Sequence, residues 1–118
     1  MKKTLLTLVV CALAALTAAA QTSLTGTWQI EYHDKNGKEV DTPMITFQQN
    51  GDRLEGVFGK YHWKVEGTVV GDRVQFSFHP PQAPEVTVRY QGTMESSSRM
   101  SGTMASEVQS GTFVATRK

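Results

Sequence analysis

One local pattern limits what this chain can fold into: a glycine, then Thr or Val, then a large apolar residue. It recurs as Gly26-Thr27-Trp28, Gly56-Val57-Phe58, Gly67-Thr68-Val69, Gly92-Thr93-Met94, Gly102-Thr103-Met104 and Gly111-Thr112-Phe113. Around these triplets apolar and polar residues alternate with period two, and no stretch shows a convincing 3.6-residue apolar period. Such alternation reads as β-strands with one buried face. Glycine inside a strand marks a sharp bend or the close approach of another backbone. Placed on the inner face of strand after strand, it predicts a short sheet that coils tightly and closes on itself.

Eight strands are expected, at about 24–33, 42–49, 52–59, 62–70, 73–79, 85–95, 99–105 and 110–117. Asn50-Gly51 reads as the centre of a type I′ turn. That pairs Gln49 with Asp52 and Gln48 with Arg53, and sets Phe47 opposite Leu54 and Ile45 opposite Gly56. Gly71-Asp72 suits a II′ turn, pairing Val70 with Arg73, Val69 with Val74, Gly67 with Phe76 and Val65 with Phe78. Ser96 to Ser98 form a third turn, with Glu95 and Arg99 placed to pair across it. The inward face then reads Leu24, Trp28, Ile30, Tyr32, Ile45, Phe47, Leu54, Phe58, Trp63, Val65, Val69, Val74, Phe76, Phe78, Val86, Val88, Tyr90, Met94, Met100, Met104 and Phe113. The fold expected is all-β, a single eight-stranded antiparallel up-and-down β-barrel, because closure also removes exposed strand edges. An open sandwich with its glycines at bulges is the competing architecture.

The first twenty residues read as an export signal rather than as part of the barrel. Lys2 and Lys3 precede an apolar run over 4–16, and Ala18-Ala19-Ala20 supplies the small residues before a cut that leaves Gln21 first. Residues 21–118 form the barrel domain, and the expected location is periplasmic or secreted. Cys11, the one cysteine, follows Val10 where a lipid-attachment site wants a small residue, so no lipid anchor is expected. The apolar run is too short for a stable membrane span. Without Lys2 and Lys3, ten basic residues face eleven acidic ones, which gives no electrostatic footprint for nucleic acid. The strands are mostly shorter than the 9–11 residues or so of a transmembrane barrel, and a lumen holding every Lys, Glu and Arg would be crowded in an eight-stranded tube.

Gly26-Thr27-Trp28 resembles the Gly-x-Trp signature on the first strand of the calycin superfamily, the lipocalins, fatty-acid-binding proteins and avidins. Leu24-Thr25-Gly26-Thr27-Trp28 also looks like the first strand of bacterial avidins. In lipocalins a late arginine packs across that tryptophan at the closed end of the barrel, and the resemblance implies this role for Arg117. The polar residues by which avidins hold the biotin ureido ring have no convincing counterparts. The resemblance therefore implies a fold and a general role as carrier or binder.

Meander topology sorts the loops. The tight turns share one end with both termini, while Asp34 to Asp41, Lys60-Tyr61, Pro80 to Pro84 and Ser106 to Gln109 gather at the other. Longer loops at one mouth are what a ligand-binding barrel presents. The candidate ligand-binding residues there are Tyr32, Phe58, Tyr61, Trp63 and Phe78, facing an apolar small molecule. Their alternative role is to fill a packed barrel that engages another macromolecule through its outer face or loops. His33, His62 and His79 also fall at that mouth but share the outward phase, so neither a metal site nor a cofactor is expected. No Ser-His-acid order, cysteine nucleophile or phosphate loop is found, and no enzymatic activity is expected.

Overall fold

A computed structural model describes residues 23–118. The expected export signal, with Cys11 and the cut before Gln21, lies outside the described residues. The described chain forms β1 (Gly26–Asp34), β2 (Glu39–Asp41), β3 (Met44–Asn50), β4 (Arg53–Phe58) and β5 (Trp63–Val70). These are followed by β6 (Arg73–Phe78), β7 (Val88–Ser96), β8 (Arg99–Ala105) and β9 (Ser110–Arg117). From β3 onward each strand pairs with its successor, and β9 pairs back onto β1. Eight strands thus close into an antiparallel meander barrel, with β2 as an extra piece. No helix among the described residues is long and apolar enough to cross a membrane.

Two strand expectations need correction. The second strand, expected at 42–49, starts at Met44, and a short additional strand precedes it. β3 pairs with Gly26–Gln29 of β1, while β2 pairs with Tyr32 and His33 further along. Both lie on the edge of β1 away from β9, because Trp28 and Tyr32 each pair with β9 as well. Pro43 stands between them and has no N–H to give to a ladder. Its carbonyl oxygen accepts the Ile30 N–H at 2.8 Å. The seventh strand begins at Val88 rather than near residue 85. Turn bonds from the Ala83 N–H to Pro80 O and from the Val86 N–H to Ala83 O, both 2.9 Å, hold that stretch as loop.

The Gly71-Asp72 hairpin has the expected register, with Val70 opposite Arg73, Val69 opposite Val74 and Gly67 opposite Phe76. The preceding hairpin is displaced by two residues. Asn50 pairs with Arg53, Gln49 with Leu54, Gln48 with Glu55, Phe47 with Gly56 and Ile45 with Phe58. Its loop is therefore Gly51-Asp52, the same chemistry as Gly71-Asp72. Gly51 and Gly71 take φ of 61° and 62°, and neither aspartate has positive φ. One glycine at the first central position meets the demand of a II′ turn, whereas I′ needs two left-handed residues. A shift of two preserves which face each side chain takes, so the inward set survives the correction.

The displaced register also shows what the glycines do. Gly56 lies opposite Phe47, Gly67 opposite Phe76, Gly102 opposite Phe113 and Gly111 opposite Met104. At Gly67 a Cβ would strike the Gln75 carbonyl oxygen and come within 2.7 Å of the Phe76 Cα. Backbone lies where a side chain would be. The space released admits the large rings: Phe47 meets Phe76 edge-on at 5.0 Å, and Tyr90 meets Phe113 at 5.1 Å.

Of the inward residues expected, Trp63, Val88 and Met94 are only partly buried against the core. Val86 is half-buried in the loop before β7. Ala115 joins the buried set, its small side chain having given little signal. At the tight-turn end Arg117 takes the place that the resemblance implies, beside a polar-rimmed cleft of about 630 Å³ between the turns. Arg117 lies over the Trp28 ring at 4.6 Å and donates to the carbonyl oxygens of Thr25 (2.8 Å), Ser23 (2.7 Å) and Ser97 (3.1 Å). Glu95 and Arg99 pair at 2.7 Å across the serine turn, as expected.

Candidate functional site

The opposite end carries the β1–β2 turn, the β4–β5 turn, the loop over 79–87 and the β8–β9 loop. Its apolar feature is a cleft of about 520 Å³ between the Pro43 break and the β4–β5 turn, walled by Pro43, Met44, Phe58, Lys60, Tyr61 and Trp63, among others. Sequence reasoning missed Pro43 and Met44 here. The signal was present, since proline inside a strand pattern indicates an interruption.

The β4–β5 turn presents Tyr61. Gly59 (φ 72°) and His62 (φ 56°) both take left-handed conformations, and the His62 N–H donates to Gly59 O at 3.2 Å. Phe58 and Trp63 pair at the base of that turn. From there the rings form a graded stack. Tyr61, 67% exposed, stacks on partly buried Trp63 at 6.2 Å. Trp63 stacks on Phe58 at 6.4 Å, and Phe58 on Phe78 at 4.5 Å. Lys60 holds its ammonium 5.2 Å from the Tyr61 ring centre. Such a surface offers flat apolar contact with a cation at its edge.

Four of the five candidate ligand-binding residues therefore come together. Phe58, Tyr61 and Trp63 wall the cleft, and Phe78 backs it. Tyr32 lies elsewhere, lining a smaller cleft of about 370 Å³ between the β1–β2 turn and the β8–β9 loop. Its hydroxyl is buried without a hydrogen-bond partner. Burial, and secondarily the charge of Asp34, holds its proton above the ordinary tyrosine range. In the nearby turn, Asp34 Oδ1 accepts from the Asn36 and Lys38 N–H groups at 2.9 and 3.0 Å.

The three histidines serve different places. His79 Nδ1 lies 3.0 Å from the Val86 carbonyl oxygen in the loop before β7, His62 is exposed in its turn, and His33 belongs to β1. The interior itself is filled, with rings from β3, β6, β7 and β9 meeting across it.

No protein-family model and no curated protein matches the chain. Its fold does match solved structures of designed proteins. A redesigned β-barrel, mFAP0, bound to DFHBI, shares 19% identity at a TM-score of 0.55, covering 80% of this chain and 98% of that one. A second redesigned β-barrel shares 18% identity at a TM-score of 0.60, covering 80% and 91%. A fluorescence-activating β-barrel designed de novo shares 19% identity at a TM-score of 0.54, covering 80% and 93%. The chain has their fold.

Proposed function

We propose that this protein is an exported, non-enzymatic β-barrel that binds an apolar small molecule at its long-loop mouth. The observation that carries the reading is the cleft of about 520 Å³ walled by Pro43, Met44, Phe58, Tyr61 and Trp63. That volume, like those of other surface clefts, falls within the roughly 300–1,000 Å³ usual for small-molecule sites, and the stacked wall of Tyr61, Trp63 and Phe58 is what sets this cleft apart. A similar fold holds DFHBI in the redesigned barrel mFAP0, which supports small-molecule binding by barrels of this shape. Because core rings fill the interior, the rim against Tyr61 and Trp63 is the better candidate for the ligand's position. Lys60 beside the stack suits an anionic end, as on a fatty acid.

Tryptophan emission tests this directly, because Trp28 is fully buried beneath Arg117 and Trp63 is the tryptophan at the cleft. Titration of the purified protein with fatty acids and an apolar fluorescent probe should give saturable quenching. Tyr61→Ala should weaken binding about fivefold, from a stacking loss of roughly 1 kcal/mol. Trp63→Phe should remove the signal while the fold persists by circular dichroism. A flat titration across varied apolar ligands would overturn the carrier reading. The second reading, a packed module engaging another macromolecule at the cell surface or in the periplasm, draws its support from the filled interior.

A further inference from the structure

The outer face of β1 carries a group of side chains that the apolar cleft does not use. Glu31, His33 and Glu39 bring a carboxylate oxygen, an imidazole nitrogen and a second carboxylate oxygen within 4.8 Å of one another. Glu31 and His33 are two residues apart on one strand, so they share its outward face. Glu39 arrives from β2 by a register irregularity. Tyr32 pairs with Asp41 but His33 pairs with Glu39, leaving Val40 as the extra residue of a β-bulge. In an unbroken ladder Val40 would stand opposite His33, and Glu39 would take the inward phase. The bulge turns Glu39 outward beside the imidazole, the re-aiming that bulges characteristically provide.

Charge pairing separates this group from the other glutamates on the strands. The other strand glutamates each have a basic partner: Glu55 with Arg53 at 2.8 Å, Glu66 with Lys64 at 3.2 Å, and Glu95 with Arg99 at 2.7 Å. Among the described residues Glu31 and Glu39 have none. Two carboxylates gathered on an imidazole without a basic side chain form a donor set in want of a cation. An imidazole ligand disfavours calcium and magnesium, which prefer oxygen, while mixed nitrogen and oxygen donors suit divalent transition ions. Ligands on one tetrahedral zinc ion sit about 3.4 Å apart, so rotation of the glutamate side chains closes the set.

We propose that Glu31, His33 and Glu39 form a binding site for a divalent transition-metal ion of the zinc type. The three side chains supply one nitrogen and two oxygen ligands, and the remaining coordination position is open to water or an external donor. β1 holds two of them firmly, since its other edge is bonded to β9 from Trp28 to Asp34. The site faces outward and is separate from the aromatic cleft.

Calorimetric titration of zinc chloride into protein purified without a histidine tag tests the proposal. One saturable equivalent is expected. His33→Ala and Glu39→Gln should each weaken binding by at least about tenfold, and His62→Ala and His79→Ala should leave it unchanged. Ring resonances of His33 should shift on zinc addition while those of the other two histidines stay in place. These positions are at the surface, and Glu31→Gln provides a third, near-isosteric variant whose fold is checked by circular dichroism. The absence of saturable uptake, uptake indifferent to His33→Ala, or uptake lost with His79→Ala would each overturn the site.

Discussion

Replacing Gly67 with alanine tests the account of the barrel at its tightest point. Elsewhere, glycine to alanine in a strand gains about 0.5–1 kcal/mol, because the unfolded chain loses freedom and the strand loses a weak spot. At Gly67 the sign should reverse. A Cβ there collides with the Gln75 carbonyl oxygen and lies 2.7 and 2.8 Å from the Phe76 Cα and Cβ. Comfortable carbon–carbon contact is about 3.5–4.0 Å, so β5 and β6 must part locally. They cannot part freely, because the Gly71-Asp72 turn ties them at one end and Gly67 is paired to Leu54 of β4 on its other side. Overpacking costs about 1–3 kcal/mol, and collision with fixed backbone belongs to the upper part of that range, about 2–3 kcal/mol. A chain-entropy gain of up to about 1 kcal/mol leaves a net loss of about 1–2 kcal/mol. For a domain this size that lowers Tm by roughly 5–15 °C. Thermal and urea unfolding followed by circular dichroism measure it, with exposed Thr68→Ala as the control, expected within about 0.5 kcal/mol. A Gly67→Ala protein as stable as the parent would refute the assignment of this glycine to close backbone approach.

Arg117→Ala should destabilise by about 1.5–3 kcal/mol, from three partly solvated guanidinium bonds and the cation–π contact with Trp28; urea midpoints measure it. Arg117→Lys should recover only part of that loss, since one ammonium cannot replace the planar fork. Tyr32→Phe should be neutral or stabilising by up to about 1 kcal/mol, because it deletes a buried hydroxyl that lacks a partner. The same variant should flatten the alkaline limb of the stability curve. An unfolded tyrosine ionises near 10.0, whereas burial first and Asp34 second hold Tyr32 above that. Its contribution is therefore complete below pH 10 or so and is lost as pH rises from there toward the raised folded value. Equal alkaline slopes for parent and Tyr32→Phe would contradict this.

Most of the barrel was legible because its strands are half-buried and alternate cleanly. Gly67, Val69 and Val70 could be placed against Phe76, Val74 and Arg73 because a single glycine-aspartate turn fixes all three pairs. The preceding hairpin was harder to read. Asn50-Gly51 and Gly51-Asp52 are both acceptable turn centres, and the pairings they set differ by two residues, which leaves the inward and outward faces unchanged. Alternation therefore cannot separate them. In the observed register the Gln49 side chain accepts the Leu24 N–H at 2.8 Å and donates to Gly51 O within the turn at 2.9 Å, neither of which alternation encodes. The stacking of Phe58, Tyr61, Trp63 and Phe78 followed from their shared mouth and phase. Tyr32 shares both, yet lines a different cleft, because position around a barrel depends on closure rather than on phase along one strand.

The interruptions of the ladder carry the chemistry that alternation could not anticipate. Along the regular strands, inward side chains fill the core, and the outward Glu55 and Glu66 have basic partners. Pro43 ends the β1–β3 ladder, and the residues at that break form one wall of the apolar cleft. A few residues away, the bulge at Val40 turns Glu39 toward His33. The other irregularity, between Met94 and Ser96, lies at the tight-turn end. There Glu95 is satisfied by Arg99 and by the Ser101 hydroxyl at 3.1 Å, so that bulge leaves no unpaired donor set behind. Core rings fill the interior of this barrel, so both proposed sites lie where pairing fails. On this chain the failures at Pro43 and Val40 fall side by side on the edge of β1, at the mouth.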